Sequence, residues 1–179
     1  MKIVVINGAP RAGKDTFVEI CKEILGDEYV LNVSTVDFVK NIAYRCGWDG
    51  VKDGKNRKFL SDLKDLLTEW DDVPYKKVNT EIQIFQLDVA EYCGEEGLDR
   101  SVAFIHCREP EEIQKFKDRL HAHTVLVRRE QVENEAQTNH ADLDVFNFAY
   151  DSIVYNNGSL DDLRDAAQCY LTEHLGIEI

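Results

Sequence analysis

The chain has 179 residues, 34 acidic and 21 basic side chains and a net charge of -13. That length suits one independently folding domain, and the charge disfavours nucleic acid, whose phosphates such a surface repels. No basic leader ahead of a long apolar run is visible, and no apolar stretch reaches membrane-spanning length, so a cytoplasmic protein with no membrane partner is expected. Five cysteines, widely spaced and without a C-x-x-C pair, fit buried thiols in a reducing compartment better than disulfides or zinc.

In chain order, Lys2–Asn7 reads as a short apolar strand running into Gly8-Ala9-Pro10-Arg11-Ala12-Gly13-Lys14-Asp15-Thr16. The spacing G-x-x-x-x-G-K between a strand and a helix is that of a phosphate-binding loop. Glycines let backbone N–H groups turn inward around phosphates, and the helix N-terminus adds unsatisfied N–H groups and its dipole. Gly8, Ala9, Arg11, Ala12, Gly13, Lys14, Asp15 and Thr16 are therefore the candidate nucleotide-binding residues, with Lys14 facing the β and γ phosphates. Asp15 stands where Ser or Thr usually supplies a hydroxyl to Mg²⁺, so Asp15 and Thr16 are candidate metal ligands and a strict Mg²⁺ requirement is expected. The following helix carries Phe17, Ile20, Cys21 and Ile24 on one face and ends at Gly26.

Further strands are expected at Tyr29–Val33, Val102–Cys107, Thr124–Val127 and Ser152–Tyr155. Between the second and third lie helical patterns, the first opened by a capping-box-like Ser34-Thr35-Val36-Asp37. Leu60, Leu63, Leu66, Leu67 and Trp70 mark the next, and Val78, Ile82, Phe85 and Val89 a third. Strands alternating with helices imply an α/β fold with a parallel sheet covered on both faces, the ligand lying at the strands' carboxyl ends. Residues 35–98 are too many for a plain crossover and are expected to form a helical subdomain on the substrate side.

Several charged residues fall near that ligand edge. Asp37 and Lys40 begin the helix after the second strand; Asp37 reads equally as a helix cap. Arg57 is the strongest candidate in the basic stretch Lys52–Lys58, and Arg108 ends the third strand, where its planar fork suits a phosphate. Glu109 is either a Mg²⁺ ligand or a cap for the helix begun by Pro110. Arg128 and Arg129 end the fourth strand ahead of a polar segment, 129–142, that reads as a lid; one of the two is expected to act on the transferring group. The five histidines show no metal-ligand spacing, and no role is assigned to them.

Gly13-Lys14-Asp15-Thr16 resembles the loop of phage-type deoxynucleoside monophosphate kinases, within the P-loop nucleoside monophosphate kinase superfamily. Asp37-x-x-Lys40, Gly47-Trp48, Arg57 to Leu63, the segment from Arg108 to Glu112 and the turn Asn156–Leu160 are similar to pieces of that family in the same order. The resemblance implies a three-layer P-loop NTPase fold with a five-stranded sheet, ATP and Mg²⁺ as cofactors, and a (deoxy)nucleoside monophosphate as acceptor. In that reading Asp37, Lys40, Arg57 and Arg108 meet the acceptor. An alcohol kinase with Asp37 as base, and a nucleotide sensor without catalysis, are the alternatives.

Overall fold

The computed structural model describes residues 1–51, 53–133 and 144–179. Lys52 and the greater part of the expected lid lie outside the described residues.

Five strands, β1 (Lys2–Asn7), β2 (Val30–Ser34), β3 (Val102–His106), β4 (His123–Arg128) and β5 (Ser152–Tyr155), form one sheet in the order β2-β3-β1-β4-β5. Every pairing is parallel, with Ile6 level with His106 and Asn7 with Leu126. This is the α/β arrangement of P-loop proteins, as anticipated. The β1 and β3 interiors have no exposed face because helices cover both sides. Val4, Ile6 and Phe104 point into one core with Phe17, Leu163 and Tyr170, and Val5, Ala103 and Ile105 point into the other with Val78, Ile113 and Phe116. The strict alternation follows from the period of two along a strand.

The helices are α1 (Lys14–Leu25), α2 (Asp37–Arg45), α3 (Gly54–Asp71), α4 (Val73–Arg100), α5 (Pro110–Leu120), the single turn α6 (Glu130–Glu133) and α7 (Leu160–Cys169). Helix α1 stops at Gly26, whose N–H donates to the Lys22 carbonyl. Helix α7 begins with a full capping box between Ser159 and Asp162. The corresponding box at Ser34 is half made. Asp37 Oδ2 accepts from the Ser34 N–H at 2.9 Å, but Ser34 Oγ accepts from Val36 rather than Asp37. Helix α4 is interrupted at Gly94, which has φ +73°.

The leucine pattern does mark a helix, α3, but the stripe is not a core face: Leu66 is 63% and Trp70 75% exposed, and the helix's one buried side chain is Lys64. One expectation needs correction. The thiols are not uniformly buried, since Cys46 and Cys169 are exposed while Cys21 and Cys107 are enclosed. A hydrophobic residue at helical spacing says which stripe it shares, not which way that stripe faces.

Candidate functional site

The site grows from the exit of β1. Asn7, fully buried, accepts the Gly8 N–H on Oδ1 at 2.8 Å and donates from Nδ2 to the Tyr150 hydroxyl at 2.8 Å and the Arg108 carbonyl at 3.3 Å. One amide thus ties the start of the Gly8–Gly13 loop to the end of β3 and to the segment before β5. Gly8 is required sterically: a Cβ there would lie 2.4 Å from the Val127 carbonyl oxygen. Gly13 has φ +97°, and a Cβ would lie 2.3 Å from Asn156 Nδ2, which donates to the Ala12 carbonyl at 2.9 Å. Lys14 Nζ donates to the Gly8 carbonyl at 2.7 Å and the Ala9 carbonyl at 3.0 Å. The ammonium therefore lies folded across its own loop.

Two cavities open on opposite sides of this loop. One, of about 370 Å³, is bounded by Thr16, Arg129 and the β5–α7 turn at Asn156, Gly158, Ser159 and Leu160. The other, of about 620 Å³, lies over the ends of β2 and β3 and is lined by Ser34, Asp37, Lys40, His106, Arg108 and Glu109 among others. Arg11, Lys14 and Asp15 line both.

The structure sorts the candidates named from sequence. Asp37, Lys40 and Arg108 share the larger cavity, with Asp37 Oδ1 accepting from Lys40 Nζ at 3.0 Å. Arg57 is exposed in the first turn of α3 and lines neither cavity. Arg129 reaches the smaller cavity. Arg128 does not: its guanidinium donates to both carboxylate oxygens of Glu133, at 2.9 and 2.6 Å, and stacks on Phe146 and Tyr155. Glu109 lines the larger cavity, but Lys64 Nζ donates to its Oε2 at 2.6 Å and to Glu112 Oε2 at 2.7 Å. Cys107 completes a ligand-like group with Glu109 and Glu112, and the Lys64 ammonium already serves its two carboxylates. Burial pushes Lys64 down, yet Glu112 and Glu109 outweigh it and hold the amine above its ordinary value.

Some residues were missed by sequence reasoning. His106 closes β3 with Nε2 buried and lacking a hydrogen-bond partner among the described residues, 3.8 Å from Asp15 Oδ1. Burial holds its pKa below the ordinary imidazole value, opposed by Asp15 and Asp37 and aided by Lys14 and Lys40. Lys64 and Asn7 were equally unmarked, since a lysine between leucines and an asparagine ending a strand carry no motif. For His106 the signal was available: the strand beside β1 ends in imidazole where a carboxylate would be sought.

Asp15 and Thr16 both offer oxygen donors to the smaller cavity, Asp15 with a 91% exposed side chain, and hard oxygen ligands suit Mg²⁺.

No family model matches the chain. No curated protein matches it either. Among solved structures, a provisionally assigned kinase from Chloroflexus aurantiacus j-10-fl aligns over 96% of both chains at 11% identity, with TM-score 0.46. A thymidylate kinase from Ehrlichia chaffeensis aligns over 97% of this chain and 98% of its own, at 11% identity and TM-score 0.40. These are distant likenesses of fold.

Proposed function

We propose that the chain is an ATP-dependent phosphotransferase that moves the γ-phosphoryl group to a (deoxy)nucleoside monophosphate. One observation carries the reading: two cavities flank the phosphate loop and share Arg11, Lys14 and Asp15. A donor triphosphate lying in the smaller cavity and an acceptor in the larger would bring their phosphates together at Lys14.

The acceptor oxygen of a nucleoside monophosphate is ionised near neutral pH, its second pKa being about 6. No general base is then required, and the work of the site is positioning and charge neutralisation. The loop N–H groups and Lys14 hold the donor phosphates, Arg108 and Lys40 face the acceptor, and Arg129 approaches from the donor side. Asp15 and Thr16 would hold Mg²⁺, which when bound neutralises phosphate charge. An alcohol acceptor is less well served. It needs Asp37 as base, and that carboxylate is engaged by Lys40 and the Ser34 N–H.

The test is ADP formation from MgATP against a panel of nucleoside monophosphates and small alcohols. At least one monophosphate is expected to support turnover, and Lys14→Ala to lower it about 10²-fold or more. Turnover with an alcohol and with no monophosphate would refute the reading. Asp15→Ala is expected to weaken nucleotide binding with Mg²⁺ present and strengthen it without, since the bare carboxylate repels phosphate. Calorimetric titration in both conditions checks it.

A further inference from the structure

A third cavity, of about 670 Å³, lies at the opposite end of the sheet from the Gly8–Gly13 loop. Lys2 opens β1, Arg100 closes α4 just before β3, and Tyr29 precedes β2. These lining residues therefore gather at the amino ends of three adjacent strands. The proposed reaction makes no use of this place.

Arg100 is the group that asks for a ligand. Its Nε is buried and has no hydrogen-bond partner among the described residues, a cost that native proteins rarely leave uncompensated. The guanidinium lies over the Tyr29 ring, 5.4 Å from its centroid, which fixes the plane without using the N–H groups. Glu96 stands four residues earlier, the helical spacing at which a carboxylate and a guanidinium pair, yet that pair is not made. Among the described residues the Lys2 ammonium also has no ion pair or hydrogen bond. In a chain with 34 acidic and 21 basic side chains, two cations left open on one cavity need a reason. The backbone keeps the arrangement in place. Helix α4 kinks at Gly94, and a Cβ at buried Gly97 would lie 3.4 Å from Tyr29 Cε1, so a larger residue would crowd the ring that carries Arg100.

We infer that this cavity binds a small zwitterion of the α-amino acid class, its carboxylate held by Arg100 and Lys2 and its ammonium by the acidic rim. A planar fork held on a ring suits a carboxylate, which accepts two parallel N–H bonds. Glu96, Asp99 and Glu178, all exposed, line the same cavity. Three carboxylates against two cations leave the lining net negative. Such a lining repels a phosphate dianion and favours a ligand that brings a positive group along with its anion. The volume falls in the range of small-molecule sites, roughly 300–1,000 Å³, and leaves room for a side chain beside Tyr29 and Gly97.

NMR titration of the full chain with each common amino acid, up to about 10 mM, tests this, the Arg100 Nε–H resonance being the reporter. Acetate, butylamine and inorganic phosphate serve as probes that carry one sign of charge only. At least one amino acid is expected to move that resonance with a Kd of about 1 mM or tighter, and each single-sign probe to bind at least about tenfold more weakly. Arg100→Ala, followed through the backbone amides of residues 96–100, is expected to weaken binding about tenfold or more. Lys2→Ala alters one exposed side chain, so it tests the site without depending on how the Arg100 variant folds, and is expected to weaken binding about threefold. Absence of binding by every amino acid, a single-sign probe that binds as tightly as the best of them, or a Kd that neither substitution changes would overturn the inference. No nucleotide enters these titrations, so their outcome is separate from that of the phosphotransfer reading.

Discussion

Two adjacent arginines in one strand end have been given different work by their neighbours. Arg128 is the last residue of β4 and Arg129 the first beyond it, and Arg129 lines the smaller cavity where Arg128 does not. Arg128 is fixed by a bidentate pair with Glu133 and by two aromatic rings, whereas Arg129 lines the smaller cavity and donates to Gln131 Oε1 at 3.3 Å. If Arg129 stabilises the transferring group, Arg129→Ala should cut kcat by about 10²-fold or more while leaving thermal stability nearly unchanged. Arg128→Ala should do the reverse, lowering Tm by about 2–4 °C, which for a domain of this size corresponds to ~1 kcal/mol. Steady-state kinetics and a thermal melt on both variants check the pair. From sequence the two were indistinguishable, because what separates them is Glu133 and the aromatic pair Phe146 and Tyr155, which the fold alone brings together.

At the scale of elements, the sheet was legible because its code is local. Short apolar runs ending in loop residues place β1, β3 and β5 within a residue or two of their observed bounds, and Gly26 and Ser159 mark helix ends through backbone chemistry. The glycine turn between β1 and α1 was legible for the same reason. The helices between β2 and β3 were legible as helices but not in their orientation, since α3 turns a lysine inward and a tryptophan outward. Lys64 binds α3 to the start of α5, at the rim of the larger cavity. Glu112, 15% exposed, would be left buried beside an absent partner in Lys64→Ala, which is expected to cost about 3 kcal/mol. Adding Glu112→Gln removes the stranded charge and should recover part of that loss. Urea denaturation of both variants and a double-mutant cycle measure the coupling. A Lys64→Ala chain as stable as the wild type would remove Lys64 from the account of how α3 is held.

Across the whole molecule, pH and ligand act on stability through half-buried groups far apart in the chain. His123 on β4 bonds to Ser152 Oγ at 2.5 Å and packs against Tyr170 and His174. Burial holds it below the ordinary value of 6.5, with Asp151 opposing and His174 and Lys117 adding to the effect. The folded chain therefore binds fewer protons than the unfolded chain just below that pH, and stability must fall as pH drops through that region. His106 adds a contribution of the same sign. Melts between pH 5 and 7 should show Tm rising with pH, with a shallower slope in His123→Gln.

Ligands add to this through the shared loop. A nucleotide at a hundred times its Kd stabilises the fold by about 2.7 kcal/mol, equivalent to roughly 5–10 °C in Tm for a chain of this length. Because Arg11, Lys14 and Asp15 border both cavities, in the proposed reading whatever orders them for the donor also prepares the acceptor side. A non-hydrolysable MgATP analogue and a monophosphate together are then expected to raise Tm by more than the sum of their separate shifts, and Lys14→Ala to abolish the excess. Strictly additive shifts would mean that the two cavities, though they share three side chains, are filled independently.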